Sequence, residues 1–146
     1  RGRLRDLSGD REGALADYNC AIQIDPSYAK AYVNRGLVRD QLGDKLGALS
    51  DYNRAIELGD RSSTNYYNRG NVRYRLEDLH NALVDYDRAI ELDNTRAKIY
   101  YNRGLTRVYL GDRQGGRDDL QTAAALFRKQ DRDGDYQSTL AKLQEI

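Results

Sequence analysis

Apolar and small residues return along this chain at helical spacing. Tyr32, Arg35, Gly36 and Arg39 fall at i, i+3, i+4 and i+7, the period of one helix face. Ala48, Asp51, Tyr52, Ala55 and Ile56 do the same for a second helix. Between them, Leu42-Gly43-Asp44 supplies a Gly to end one helix and an Asp to cap the next, and Leu110-Gly111-Asp112 repeats the device. At the intervening turn Glu77 replaces the Gly, while Asp78 is kept. The sole proline, Pro26, ends another second helix. Gly36, Ala48 and Ala55 are small where two helices must approach closely.

The pattern itself recurs. Tyr32–Gly36 reads Tyr-Val-Asn-Arg-Gly and returns as Tyr-Tyr-Asn-Arg-Gly at Tyr66–Gly70 and Tyr100–Gly104, a step of 34 residues each time. Ala-Leu-x-Asp-Tyr-x-x-Ala-Ile occurs at Ala14–Ile22, Ala48–Ile56 and Ala82–Ile90. A fixed period of this length marks stacked helical units. The expected division is a truncated repeat at 1–28, whole repeats at 29–62, 63–96 and 97–130, and a capping helix at 131–146. Tyr136, Leu140, Leu143 and Ile146 form the stripe expected to cover the last pair. Residue 1 lies seven positions into the frame, so repeats are expected to continue upstream.

These residues resemble the tetratricopeptide repeat family, with Asn-Arg-Gly units in the style of bacterial and photosynthetic-organism proteins. Tyr32, Gly36, Ala48, Tyr52 and Ala55 match its pattern, as do Tyr66, Gly70, Ala82, Tyr86 and Ala89. The resemblance implies an all-α, right-handed superhelix of antiparallel helix pairs. Arg stands on the first helix where the family usually has Leu and Tyr, and Asp60 and Asn94 replace a terminal Pro. The last unit departs further, with Gly116-Arg117 for Ala-Leu and Leu120 for the Tyr.

Composition narrows the function classes. Lys plus Arg (24) nearly cancels Asp plus Glu (23), which argues against a generic nucleic-acid binder. One Cys and one His exclude an internal disulfide and a Cys/His zinc cluster. No apolar run approaches a membrane span, so no direct insertion is expected. His80 reads as a solvated turn residue and Cys20 as an inert thiol. Asp131-x-Asp133-Gly134-Asp135 lacks the spacing of a calcium loop. No catalytic group, metal or cofactor is expected. The chain lacks an initiator Met, so a missing targeting region is expected, and a place in the cytoplasm or peripheral to a membrane complex is the expectation for its location.

Two ladders remain. Arg1, Arg35, Arg69 and Arg103 share one position, and Arg5, Arg39, Arg73 and Arg107 lie four residues later. Asp17, Asp51, Asp85 and Asp119 recur on the facing helices. An unpaired buried charge is costly, so an Arg–Asp ion-pair ladder is expected, with surplus Arg left for carbonyls, water or an anionic ligand. The second ladder is Asn34, Asn68 and Asn102. In the family this position faces the concave groove, where an Asn amide offers a donor and an acceptor to an extended peptide.

The family frame adds Lys30, Val33, Leu37, Asp40 and Gln41 to the groove, then Thr64, Tyr67, Asn71, Tyr74 and Arg75. Lys98, Tyr101, Leu105, Val108 and Tyr109 follow in the next unit, making a slightly positive surface. The carboxylate clamp of chaperone-binding members is incomplete, since Tyr67 stands where its first Lys belongs. The resemblance therefore implies a scaffold that binds an extended or C-terminal segment of a partner protein, within an assembly or chaperone-like factor. Two alternatives stay open: a recruiting arm of a larger enzyme, and self-association through exposed repeat ends.

Overall fold

The computed structural model describes residues 10–146, and Arg1 and Arg5 of the ladders lie outside them. Among the described residues the chain folds into eight helices and no strand. They are α1 (Arg11–Ile24), α2 (Ala29–Gln41), α3 (Lys45–Glu57), α4 (Ser63–Arg75), α5 (Leu79–Leu92), α6 (Ala97–Tyr109), α7 (Arg113–Lys129) and α8 (Asp133–Glu145). Each packs on its neighbours in sequence. The first helices of successive repeats also touch, α2 with α4 and α4 with α6, so together they line one face of the solenoid.

Close approach within a pair follows from glycine opposite tyrosine. A Cβ on Gly36 would lie 2.9 Å from Tyr52 Cε1, and one on Gly70 would lie 2.9 Å from Tyr86 Cε1. Both rings are buried, and each anchors a small core with the alanines around it. In the last pair Leu120 replaces the Tyr, and a Cβ on Gly104 would meet the Gly116 carbonyl oxygen at 3.0 Å. The smaller residues at 116 and 120 thus let α6 and α7 pack backbone against backbone.

The turns are built by their sequence. Asp44 accepts from Gly47 N and Asp112 from Gly115 N, both at 2.9 Å, closing the N-termini of α3 and α7. Gly43 and Gly111 take φ of +88° and +92°, the left-handed region. Glu77 takes φ +64° at the matching position without glycine's freedom. Asp78 departs from the expected cap: its carboxylate accepts from Asn81 Nδ2 at 2.9 Å and caps no backbone N–H. His80 lies in the first turn of α5, not in the loop, and is exposed.

The last helix packs on α7 with a polar residue at its centre. Thr139 is its fully buried residue, donating to the Asp135 carbonyl at 2.7 Å, whereas Tyr136, Leu140, Leu143 and Ile146 are half-buried. Tyr136 packs against the Ala97–Ala123–Phe127 cluster, and Leu140 and Leu143 face Ala124 and Ala125 of α7 across a shallow cleft.

Candidate functional site: the face of the first helices

A charged spine sets the stacking of these helices. Arg35 donates from Nη2 to Asp51 Oδ1 (2.7 Å) and from Nε to Oδ2 (3.0 Å). Arg39 reaches the same carboxylate at 3.0 Å. Arg69 and Arg73 hold Asp85 in the same way, and Arg103 and Arg107 hold Asp119. Each carboxylate is buried and takes two arginines. The third nitrogen of the first arginine crosses to the preceding repeat, Arg35 to Asn19 (2.9 Å), Arg69 to Asn53 (3.0 Å) and Arg103 to Asp87 (3.0 Å). In the described repeats each of these six arginines has a protein partner, and two of them share each carboxylate. The hydrogen bond from Arg35 to Asp51 raises the guanidinium pKa, outweighing the opposing cost of desolvation. The same arginines stand over tyrosine rings, Arg35 over Tyr32 at 5.5 Å and Arg103 over Tyr100 at 5.6 Å.

The three asparagines occupy equivalent positions but different environments. Asn34 is half-buried. Asn68 keeps its Nδ2 buried without a hydrogen-bond partner among the described residues. Asn102 spends its Nδ2 on Tyr67 Oη (3.1 Å) and Asn71 Oδ1 (3.0 Å), and Asn71 Oδ1 also accepts from Tyr86 Oη at 2.6 Å. A uniform row of open amides is thus replaced by one amide closed into a polar network. The sequence signal for that closure was Asn71, which stands where the other units have Leu37 and Leu105.

Other expected groove residues divide by packing. Val33 and Leu37 pack on the Ala48–Tyr52–Val72 cluster, Tyr67 and Tyr74 on the cluster around Tyr86, and Tyr101 against Phe127. These side chains therefore brace the fold with part of their surface. Leu105 and Val108 are half-buried, while Lys30, Gln41, Thr64 and Lys98 are exposed. Arg75 is paired with Asp40, so two of the expected groove charges neutralise each other.

Two clefts open along this face, the first between α6 and α8 with Tyr67 of α4 at its edge and the second between α4 and α6. One of about 260 Å³ is lined by Tyr67, Lys98, Tyr101 and Asn102, facing Asp135 and Ser138 of α8. The second, about 520 Å³, gathers Tyr74, Arg75 and Tyr109 with Glu77 and Leu79. The Tyr74 and Tyr109 ring centroids are 6.0 Å apart and tilted by 56°. Burial, then the neighbouring Tyr109, pushes the Tyr74 phenol up to about 12. Sequence reasoning missed Phe127, Asp135, Ser138 and Thr139 in the first cleft and Glu77 and Leu79 in the second, because they come from α7, α8, α5 and a turn outside the first-helix frame. Among the described residues no His, Cys, Asp and Glu cluster could hold a metal, and no helix is long and apolar enough to cross a membrane.

These paired helices, tiled at a 34-residue step, define a helical-repeat solenoid. Family profiles described as TPR repeat match residues 7–43 and 70–111, and one described as tetratricopeptide repeat matches 29–58. The chain belongs to the tetratricopeptide repeat family. No curated protein matches it in sequence.

Among solved structures it resembles MamA 41-end from Desulfovibrio magneticus RS-1, with 18% identity, a TM-score of 0.77, and 99% and 89% of the two chains covered. YrrB, described as a TPR protein with an unusual peptide-binding site, shares 22% identity at TM-score 0.74, over 99% of this chain and 81% of that one. The first TPR of Spaghetti (RPAP3), bound to the HSP90 peptide SRMEEVD, shares 25% identity at TM-score 0.73, over 75% and 87%.

Proposed function

We propose that the chain is a protein-interaction scaffold whose first-helix face binds an extended segment of a partner protein, acting by binding and not by catalysis. The observation that carries this reading is the pair of clefts along the first helices α4 and α6, where four tyrosines, Lys98 and the Asn102 amide line one face. Tyrosines give broad amphipathic contact for little loss of side-chain freedom, and their shared role in the core holds them ready. Peptide-bound and peptide-binding neighbours of the same fold support it. Such a scaffold suits an assembly or chaperone-like factor, which must hold a partner segment without reacting with it.

The test compares partner capture by two sets of variants, each checked for helicity by circular dichroism. One set replaces Asn34, Asn68 and Asn102 with Ala. The other replaces Leu46 and Val84, exposed on second helices. Loss of capture in the first set alone supports the groove. Unchanged capture in the first set removes it.

A further inference from the structure

We propose that the cleft between α7 and α8 docks a short amphipathic helix of a partner protein, apolar on one face and acidic on its flanks. This surface shares no lining residue with the two clefts along the first helices, and the inference stands independently of the groove. The cleft, about 470 Å³, has an apolar floor of Ala124 and Ala125 on α7 and Tyr136, Leu140 and Leu143 on α8. Tyr136 to Leu143 spans about 10 Å, two turns of helix. An extended segment laid there would press its backbone N–H and C=O groups against a floor without partners, whereas a helix satisfies its own. The small side chains of α7 let a helix backbone come close.

The acidic flanks follow from the charge of the rim. Arg128 and Lys129 line it, exposed and with no ion pair among the described residues, and Arg128 stands over the Tyr136 ring at 5.8 Å. Among the described residues no carboxylate lines the cleft. A second helix of the repeat type does not match it. Tyr28, Ser62, Arg96 and Arg132 precede α2, α4, α6 and α8. Eight residues on, the first three helices carry Gly36, Gly70 and Gly104, whereas α8 carries Leu140. Seven and eleven residues on, they carry the arginine pair, whereas α8 carries Thr139 and Leu143. So α8 lacks both the gap that admits a packed ring and the two cations that hold a buried Asp. Gln121 occupies the place where Asn19, Asn53 and Asp87 accept from the next unit's arginine. With Thr139 offering none, its amide stays unspent and adds a donor for a carboxylate at the other end of the cleft.

The experiment titrates the purified protein with fluorescent, side-chain-stapled peptides of about three helical turns, carrying Leu at i, i+4 and i+7 and Glu on both flanks. A matched set carries Lys on the flanks. The Glu set should bind about tenfold more tightly than the Lys set, and less so as salt is added. Arg128→Glu combined with Lys129→Glu should reverse that order. Ala125→Tyr, which fills the floor from an exposed position, should abolish binding, with circular dichroism checking the fold. Changing Asn34, Asn68 and Asn102 to Ala should leave helix binding intact, so this inference and the groove fail separately. No binding by the Glu set, equal binding by both sets, or binding indifferent to Ala125→Tyr would overturn the inference. Concentration-dependent dimers in light scattering that Ala125→Tyr removes would place a second copy in the cleft and overturn it too.

Discussion

Arg69 holds Asp85 through two nitrogens, Nη2 to Oδ1 at 2.7 Å and Nε to Oδ2 at 3.0 Å, and reaches Asn53 of the preceding repeat with the third at 3.0 Å. One guanidinium therefore ties its own helix pair together and sets the register to the pair before it. Asp85 is 1% exposed, so the pair is screened little by water. Asp85→Ala leaves Arg69 and Arg73 without their carboxylate and should cost about 3–5 kcal/mol in urea denaturation. Asn53→Ala removes one bond between repeats and should cost about 1 kcal/mol. Equal effects from the two would contradict the division of labour within Arg69.

The two core tyrosines should respond differently to loss of the hydroxyl. Tyr86 donates to Asn71 at 2.6 Å, while the Tyr52 hydroxyl is buried with no partner among the described residues. Tyr86→Phe should destabilise by about 1 kcal/mol, and Tyr52→Phe should be neutral or slightly stabilising. Leu37 stands where the next unit has Asn71, so Leu37→Asn, which gives up apolar packing on the Tyr52 cluster, should cost less with Tyr52 than with Tyr52→Phe. Chemical denaturation of the four proteins checks this.

Glu77 takes a left-handed φ where the sister turns use Gly43 and Gly111. Glu77→Gly should stabilise the chain by about 1 kcal/mol, since a side chain is strained there and glycine is not. Thermal unfolding should show a rise of about 3 °C. Gly43→Glu should shift it the other way.

Alkaline pH should loosen the fold through the same tyrosines. Desolvation, above all, raises the phenols of Tyr52 and Tyr86 well above the ordinary 10.0, and Tyr74 to about 12. Because the folded values are raised, their stabilising contribution is complete below pH 10 and is lost as pH climbs through the folded values. Unfolding free energy should thus be insensitive to these groups up to about pH 10 and fall above it. Absorbance titration at alkaline pH should show a late-titrating tyrosine fraction that shrinks in Tyr52→Phe and Tyr86→Phe.

Helix positions and the helix-pair solenoid were legible because the 34-residue period fixes which residues face each other. The Asp51, Asp85 and Asp119 row stood out for the same reason. What the period could not show was stoichiometry: nothing in the spacing says that Arg35 and Arg39 share one carboxylate, or that Asn19 takes the remaining donor. Departures from the repeat carried the rest. Asn71 and Tyr67, where the preceding unit has Leu37 and Val33, break the equivalence of the asparagine row by closing Asn102 into a network. Thr139 was hidden because a buried hydroxyl that bonds its own helix carbonyl looks polar in sequence. Asp135 and Ser138 approach the groove across a turn that no repeat register describes.

The most direct test of the account is backbone amide NMR during titration with a peptide selected on the protein. Shift changes are predicted to concentrate on α4 and α6, at Tyr67, Tyr74, Lys98, Asn102 and Tyr109, with Asp135 and Ser138 of α8 following. Changes concentrated instead on the second helices, around Leu46, Val84 and Leu92, would contradict a groove formed by the first helices.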